Sequence, residues 1–180
     1  MQWPIGWMAG KGLIPILQSH GEKLIGCELG VCYGWNLVWT LQNIPDIRMY
    51  AIDPYTPYDD GPGGYFDQDK QNIIKNTMLE NIDPYKDRVK FMMSRSQDVV
   101  FHFPDGYLDY IFIDGDHSYE AAKRDIVNYY PKVKSGGIFA GHDYSMPGVK
   151  KALDEFLDEQ GLTIDIIQFC DTDAWYWIKK

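Results

Sequence analysis

The run ELGVCYG sets the carboxylate of Glu28 beside two glycines, Gly30 and Gly34, where a strand-like segment gives way to a helix-like one. Glycines at such a turn let the backbone approach a ligand closely, and the crevice beyond a strand's carboxyl end is where a doubly wound sheet accepts nucleotide-like molecules. The ExGxxxG spacing is not the GxGxxG that seats a pyrophosphate on a helix N-terminus. Taken alone it is equally a plain turn whose glycines answer to positive φ or tight packing. Asp53 closes the next strand-like run, RMYAID, where a carboxylate can accept two hydrogen bonds from ribose hydroxyls. Together the loop and Asp53 point to an adenosine-containing cofactor. Acidic and imidazole groups gather further on, in FIDGDHSYE (Asp114, Asp116, His117) and GGIFAGHDY (His142, Asp143), both closing strand-like runs.

Positioning these groups falls to alternating strand-like and helix-like segments, the pattern of a parallel sheet covered by helices on both faces. A first strand reads from about Lys23 to Leu29, and a helix from about Trp35 to Gln42 stops ahead of Pro45. After RMYAID, residues 54–67 (PYTPYDDGPGGYFD) are too rich in Pro and Gly for helix or strand and too long for a simple connection. They read as a substrate lid or as a self-packed surface loop, with Tyr55, Tyr58, Tyr65 and Phe66 suited to stacking on a ring. A helix from about Gln68 to Asn81, the strands RVKFMM and YLDYIFI, and a helix from Glu120 to Tyr130 follow. Gly136 and Gly137 turn into the strand GIFAG, and Pro147 opens a helix that runs through Gln160 to a cap at Gly161. LTIDIIQF and AWYWIK then have no helix to cross between them, so they form an antiparallel pair. The expected architecture is one α/β domain over residues 1–180, a Rossmann-like doubly wound sheet of seven strands, mostly parallel with an antiparallel C-terminal hairpin.

With these residues in place, the chain from Lys23 to Lys180 resembles the class I S-adenosylmethionine-dependent methyltransferases. The strings IDGDHSYE and GHDY narrow the resemblance to a subgroup of small methyltransferase domains related to metal-dependent sugar and catechol O-methyltransferases. That resemblance implies that Glu28 helps hold the methionine end of S-adenosylmethionine, with Gly30 and Gly34 in the cofactor loop. It implies that Asp53 holds the ribose and that SRSQD contacts the adenine through Ser94 and Ser96. Arg95 stands where the family commonly has an acid, and Ser96 reads equally as a helix N-cap. Asp114 and Asp143 are implied ligands of a divalent cation, with Asp114 also beside the cofactor. Adjacent parallel strands bring two such carboxylates together, where they repel unless a cation or proton intervenes. Mg²⁺ suits two carboxylates, while His142 as a third ligand would admit Mn²⁺ or Fe²⁺. His117, at the offset where relatives carry the general base, is the expected catalytic base. Asp116 is assigned to the turn, and the bland readings are a cap for His117 and a turn for Asp143.

Composition bounds the partners. With 180 residues, 45% of them apolar, the chain can bury one sizeable core. Its net charge of −9 argues against nucleic acid, which needs Lys and Arg on one face. Lys132 with Lys134, and Lys179 with Lys180, read as solvated element ends. No apolar stretch approaches the ~18–20 residues of a membrane span, and MQWPIGWMAGKG lacks the build of a signal peptide, so the expected location is the cytoplasm. Three cysteines without CxxC spacing indicate neither a disulfide framework nor a zinc site, and Cys27 and Cys170 read as core fillers. Residues 1–22 form a helix or arm, in which Trp3, Trp7 and Met8 either pack on the sheet or make a homo-oligomer contact. The expected activity is metal-assisted methylation of a hydroxyl on a saccharide or other small diol. The rivals are a non-catalytic cofactor- or partner-binding domain and a metal-dependent hydroxylase-like relative, and the intact set Asp114, His117 and Asp143 favours the first.

Overall fold

β1 (Ile25–Leu29) is buried along nearly its whole length because it lies at the middle of the sheet with helices over both faces. In the computed structural model, which describes residues 9–59, 64–163, 167–170 and 173–180, it is flanked by β2 (Arg48–Ile52) and β6 (Leu108–Ile113), both parallel to it. β5 (Val89–Met92) extends the parallel array beyond β2, and β7 (Val133–Gly141) extends it beyond β6. β9 (Trp175–Ile178) joins β7 antiparallel, and β8 (Gln168–Phe169) pairs antiparallel with β9 at the edge. The order β5-β2-β1-β6-β7-β9-β8 makes the expected seven-stranded, mostly parallel sheet. Positions 164–166 of the run read as LTIDIIQF fall outside the described residues, as do Trp3, Trp7 and Met8.

Period-two alternation along the strands builds two cores. From β6, Ile111 and Ile113 face one side with Phe139, Trp175 and Trp177, against α5 (Tyr119–Tyr129) and α6 (Pro147–Glu159). Tyr110 and Phe112 face the other with Met49, Ala51, Ile138 and Ala140, against α1 (Ile14–His20), α2 (Trp35–Asn43) and α3 (Gln68–Ile82). Burying each large apolar side chain contributes roughly 1.5–3 kcal/mol, so both helical layers are bound firmly to the sheet. α3 starts where the Asp67 carboxylate accepts the N–H of Lys70 (2.8 Å), and α5 where the Ser118 hydroxyl accepts that of Ala121 (3.4 Å). α4 (Ser96–Val99) is a single turn after β5. Cys27 is a core residue, whereas Cys170 is only partly buried.

Two elements depart from the sequence pattern. Residues 54–67 are not strand-free: β3 (Tyr58–Asp59) pairs antiparallel with β4 (Tyr65–Phe66). Tyr58 sits opposite Phe66 with the rings stacked at 5.0 Å, a cross-strand aromatic pair that holds a short hairpin despite the surrounding Pro and Gly. β7 starts at Val133 rather than at Gly137, because Leu108 pairs with Val133 while Tyr110 pairs with Ile138. The intervening residues are absorbed as a bulge, with Gly136 at φ +82°. No described helix is long and apolar enough to cross a membrane.

Candidate functional site

The strands β1, β2 and β6 end side by side, and the chain leaving β1 must pass close to the chain leaving β6. Gly30 takes φ +79°, and a Cβ there would lie 2.1 Å from the carbonyl oxygen of Asp114, so only glycine permits this approach. Gly34, at φ +76° before α2, would bring a Cβ within 2.9 Å of Met78 on α3. Both reasons for a glycine, positive φ and tight packing, are therefore present in a loop that also borders a cavity of about 490 Å³. That volume is within the range of small-molecule and cofactor sites.

Asp53 holds this loop. Its Oδ2 accepts the N–H groups of Val31 (2.9 Å) and Cys32 (3.0 Å), and its Oδ1 accepts that of Tyr55 (2.9 Å). Burial nonetheless pushes its carboxyl above the usual value, the backbone donors only partly offsetting the desolvation. The Tyr55 hydroxyl closes the ring by donating to the Cys32 carbonyl (2.6 Å). Asp53 thus lines the cavity and shapes its wall at once. Glu28 is placed differently. It is 1% exposed, outside the cavity lining, and accepts from Asn36 Nδ2 (3.1 Å), whose Oδ1 takes the N–H of Gly10 (2.8 Å). Burial, then the charges of Asp114 and Asp53, raise the Glu28 carboxyl well above its ordinary value, against the lowering effect of Asn36.

The turn after β5 reaches the cavity through Arg95, Ser96 and Gln97, but not through Ser94. Ser96 is the first residue of α4 and makes no N-cap; its hydroxyl donates to Asp125 Oδ1 on α5 (2.5 Å). The hairpin contributes Tyr58 and Phe66 to the cavity wall, and the end of β6 contributes Asp114, Gly115 and Asp116. Asp116 accepts the N–H of Ser118 (2.8 Å) in the turn that starts α5. Asp125 and Arg124 are cavity residues that motif reading missed. A signal existed for Asp125, because it occupies the buried stripe of α5 with Ala121, Ala122, Ile126 and Tyr129, where an acid needs a reason.

Beside the cavity, four side chains converge. His117 Nε2 lies 2.9 Å from Asp143 Oδ2, and His142 Nδ1 lies 3.1 Å from Asp143 Oδ1 and 3.6 Å from Asp114 Oδ1. Two backbone features permit this. Asp143 takes φ +59°, and Gly148 in the first turn of α6 lies so near the His117 carbonyl that a Cβ would come within 2.4 Å of it. Burial pushes the Asp143 carboxyl up, but hydrogen bonds from His117 and His142 outweigh it and hold the group well below the usual carboxylate range. For His142, burial pulls the imidazole down, yet Asp114 and Asp143 together raise it to about 10. Asp114 moves upward because its burial exceeds the help from His142.

The donor chemistry fits a divalent cation. Asp114, His117 and Asp143 offer ligand atoms all within 4.8 Å of one another, and so do His142, Asp143 and Asp173. Asp173 was not expected from the sequence; its carboxylate accepts the N–H (2.6 Å) and hydroxyl (2.8 Å) of Ser145.

An uncharacterized protein of Acanthamoeba polyphaga mimivirus is 29% identical over 143 residues, covering 72% of this chain and 59% of its own length. The mycinamicin III 3''-O-methyltransferase of Micromonospora griseorubida is 30% identical over 107 residues, 58% of this chain and 41% of that enzyme. The chain thus spans less than two thirds of either relative. Among solved structures, the O-methyltransferase NovP superposes with a TM-score of 0.68 at 19% identity, covering 94% of this chain and 77% of its own, which establishes the shared fold. Residues 27–144 match the family described as methyltransferase domain, a stretch from within β1 to just past β7 that takes in every strand end bordering the cavity. The chain belongs to that methyltransferase-domain family.

Proposed function

We propose that this protein transfers a methyl group from S-adenosylmethionine to a hydroxyl oxygen of a saccharide or other small diol, assisted by a divalent cation. The observation that carries the reading is the convergence of Asp114, His117, His142 and Asp143 beside a cavity already shaped by the glycine loop and Asp53. Membership of the methyltransferase-domain family supports the cofactor, and a relative named for 3''-O-methylation supports oxygen as the acceptor.

In this reading Gly30 and Asp53 seat the cofactor, and Gly34 shapes the end of the loop behind them. Its sulfonium supplies the methyl group, and the protein must align acceptor oxygen, methyl carbon and sulfur. Asp114, His142 and Asp143 would hold the cation, which would supply positive charge beside the acceptor hydroxyl and so raise its acidity. Asp143 stays ionised at neutral pH because of its two imidazole neighbours, so it is ready as a ligand. His117 takes the proton from the acceptor hydroxyl. Its Nε2 lies 2.9 Å from Asp143 Oδ2, a contact that orients the ring for that role. Tyr58 and Phe66, stacked on each other at the cavity wall, give the acceptor ring an apolar face to lie against and belong to the loop read as a substrate lid.

Calorimetric titration of S-adenosylmethionine, with and without Mg²⁺ or Mn²⁺, tests the cofactor and cation. A screen of saccharides and diols with methyl-labelled cofactor tests the acceptor. Binding followed by cation-dependent label transfer to a hydroxyl is the expected result; absence of cofactor binding in every condition sinks the proposal.

A further inference from the structure

We infer that Asp173, in the turn between β8 and β9, is a further ligand of the divalent cation, joining His142 and Asp143 from the antiparallel side of the sheet. The inference rests on the cation reading above and extends it to a residue beyond the stretch 27–144 that matches the methyltransferase domain. His142, Asp143 and Asp173 offer one ligand atom each, all within 4.8 Å of one another. Two carboxylates and an imidazole make a donor set suited to Mn²⁺ and its neighbours among the divalent ions. Charge points the same way. Among the described residues no Lys or Arg forms an ion pair with Asp114, Asp143 or Asp173, so three carboxylates meet with only His117 and His142 among them. Carboxylates gathered in this way call for a cation or for protons.

Asp173 is held in position from two directions. Its Oδ1 accepts the N–H of Ser145 (2.6 Å) and its Oδ2 the Ser145 hydroxyl (2.8 Å), the kind of outer hydrogen bonding that orients a ligating carboxylate. A carboxylate has about four acceptor positions and these bonds use two, so each oxygen keeps a lone pair for a ligand bond. The turn itself is tied to the loop after β7, where Tyr144 donates its N–H to the Asp173 carbonyl (3.2 Å) and Trp175 its Nε1–H to the His142 carbonyl (2.9 Å). The two oxygens of Asp143 then divide the work. Oδ1 faces His142 (3.1 Å) and Oδ2 faces His117 (2.9 Å). A set drawn from Asp114, His117 and Asp143 would use the base as a ligand, whereas His142, Asp143 and Asp173, from the ends of β7 and β9, leave His117 to take the proton. Asp114 Oδ1, 3.6 Å from His142 Nδ1, can join that set.

The test uses Mn²⁺ and Co²⁺ on the full chain. The unmodified protein is expected to bind Mn²⁺, read as loss of the unbound ion's electron paramagnetic resonance signal. Asp173→Asn is expected to bind it at least about 10-fold more weakly, the loss that removing even an outer partner of a ligand brings. Asp173→Cys with Co²⁺ is expected to show a thiolate-to-cobalt charge-transfer band absent from the unmodified protein, whose own thiols, Cys27, Cys32 and Cys170, serve as the blank. Only a residue that touches the ion gives that band, which separates a ligand from a residue that merely braces the turn. Asp173 is half-buried and belongs to neither core, so both variants keep the sheet. Asp173→Asn binding Mn²⁺ as tightly as the unmodified protein overturns the inference and leaves the cation to Asp114, His142 and Asp143. Absence of the band in Asp173→Cys overturns it too, whether or not Co²⁺ binds, because a thiolate in the ligand set is a good donor to that ion. If the unmodified protein binds no Mn²⁺, the cation reading falls and this inference with it.

Discussion

Gly30→Ala and Gly106→Ala form a matched pair that measures how closely the ends of β1 and β6 approach. Both glycines have positive φ, +79° and +66°, so alanine at either site meets the left-handed backbone penalty. Gly106 has nothing within 4 Å of a built Cβ, whereas at Gly30 the Cβ would fall 2.1 Å from the Asp114 carbonyl oxygen and 2.7 Å from the Gly115 Cα. The strain alone is worth about 1–2 kcal/mol, reduced by the lower entropy of the unfolded alanine chain, so Gly106→Ala should cost about 1 kcal/mol. At Gly30 two backbones must part, and overpacking of that kind adds about 1–3 kcal/mol. The sum is about 3 kcal/mol, which for a domain of this size lowers the melting temperature by roughly 6–12 °C, against roughly 2–4 °C for Gly106→Ala. Urea and thermal unfolding of the two variants beside the unmodified protein read this directly. Stabilities for the two variants within about 0.5 kcal/mol of one another, the usual size of a neutral surface change, would refute the close approach. The same displacement moves Asp114 away from the hydrogen bond its N–H donates to Leu29 O (2.9 Å), so cofactor affinity should fall in Gly30→Ala and hold in Gly106→Ala.

Other outcomes follow from the site. His117→Ala should lower methyl transfer to an identified acceptor by about 10²- to 10⁴-fold while cofactor affinity holds, because a general base acts on the acceptor alone; an unaltered rate and pH profile count against the role. Glu28→Gln should flatten the dependence of stability on pH. Burial raises the Glu28 carboxyl above its ordinary 4.5, so the folded chain holds this proton longer than the unfolded one. Glu28's share of stability is then greatest below pH 4.5 and is lost as pH rises from there through the raised folded value. Urea unfolding of both proteins from pH 4.5 to 8 should show their difference growing with pH in favour of the glutamine; a constant difference contradicts the shift.

The sheet was legible because each strand run is short, apolar and closed by a turn or a helix start, and because the last two runs have no helix between them. What the one-dimensional pattern could not carry is contact made across the chain. The β3–β4 hairpin depends on Tyr58 meeting Phe66, a pairing that composition hides behind Pro and Gly. Asp53 is a strand-end acid in the sequence, but the donors it meets are set by the loop backbone, where Cys32 sits at φ +49°. Likewise the sequence puts His117 and Asp143 at the ends of two strands, yet their 2.9 Å contact requires α6 to start against the His117 carbonyl, which Gly148 permits.

Asp125 shows the same limit and a way past it. Strand-end motifs locate a site in this architecture because parallel strands deliver their carboxyl ends to one edge. Part of the cavity wall, however, comes from residues that the following helices turn back toward that edge, Arg124 and Asp125 among them, and those residues carry no motif. The readable trace is a violation of amphipathicity: on α5 an acid interrupts a stripe of Ala, Ile and Tyr that otherwise packs on the sheet. A buried carboxylate there lowers stability unless a donor meets it, and the Ser96 hydroxyl meets only one of its two oxygens. The second oxygen is open to the cavity, so an acid set into an apolar helix stripe is the mark of a cavity-facing position that an amino-acid sequence can display by itself.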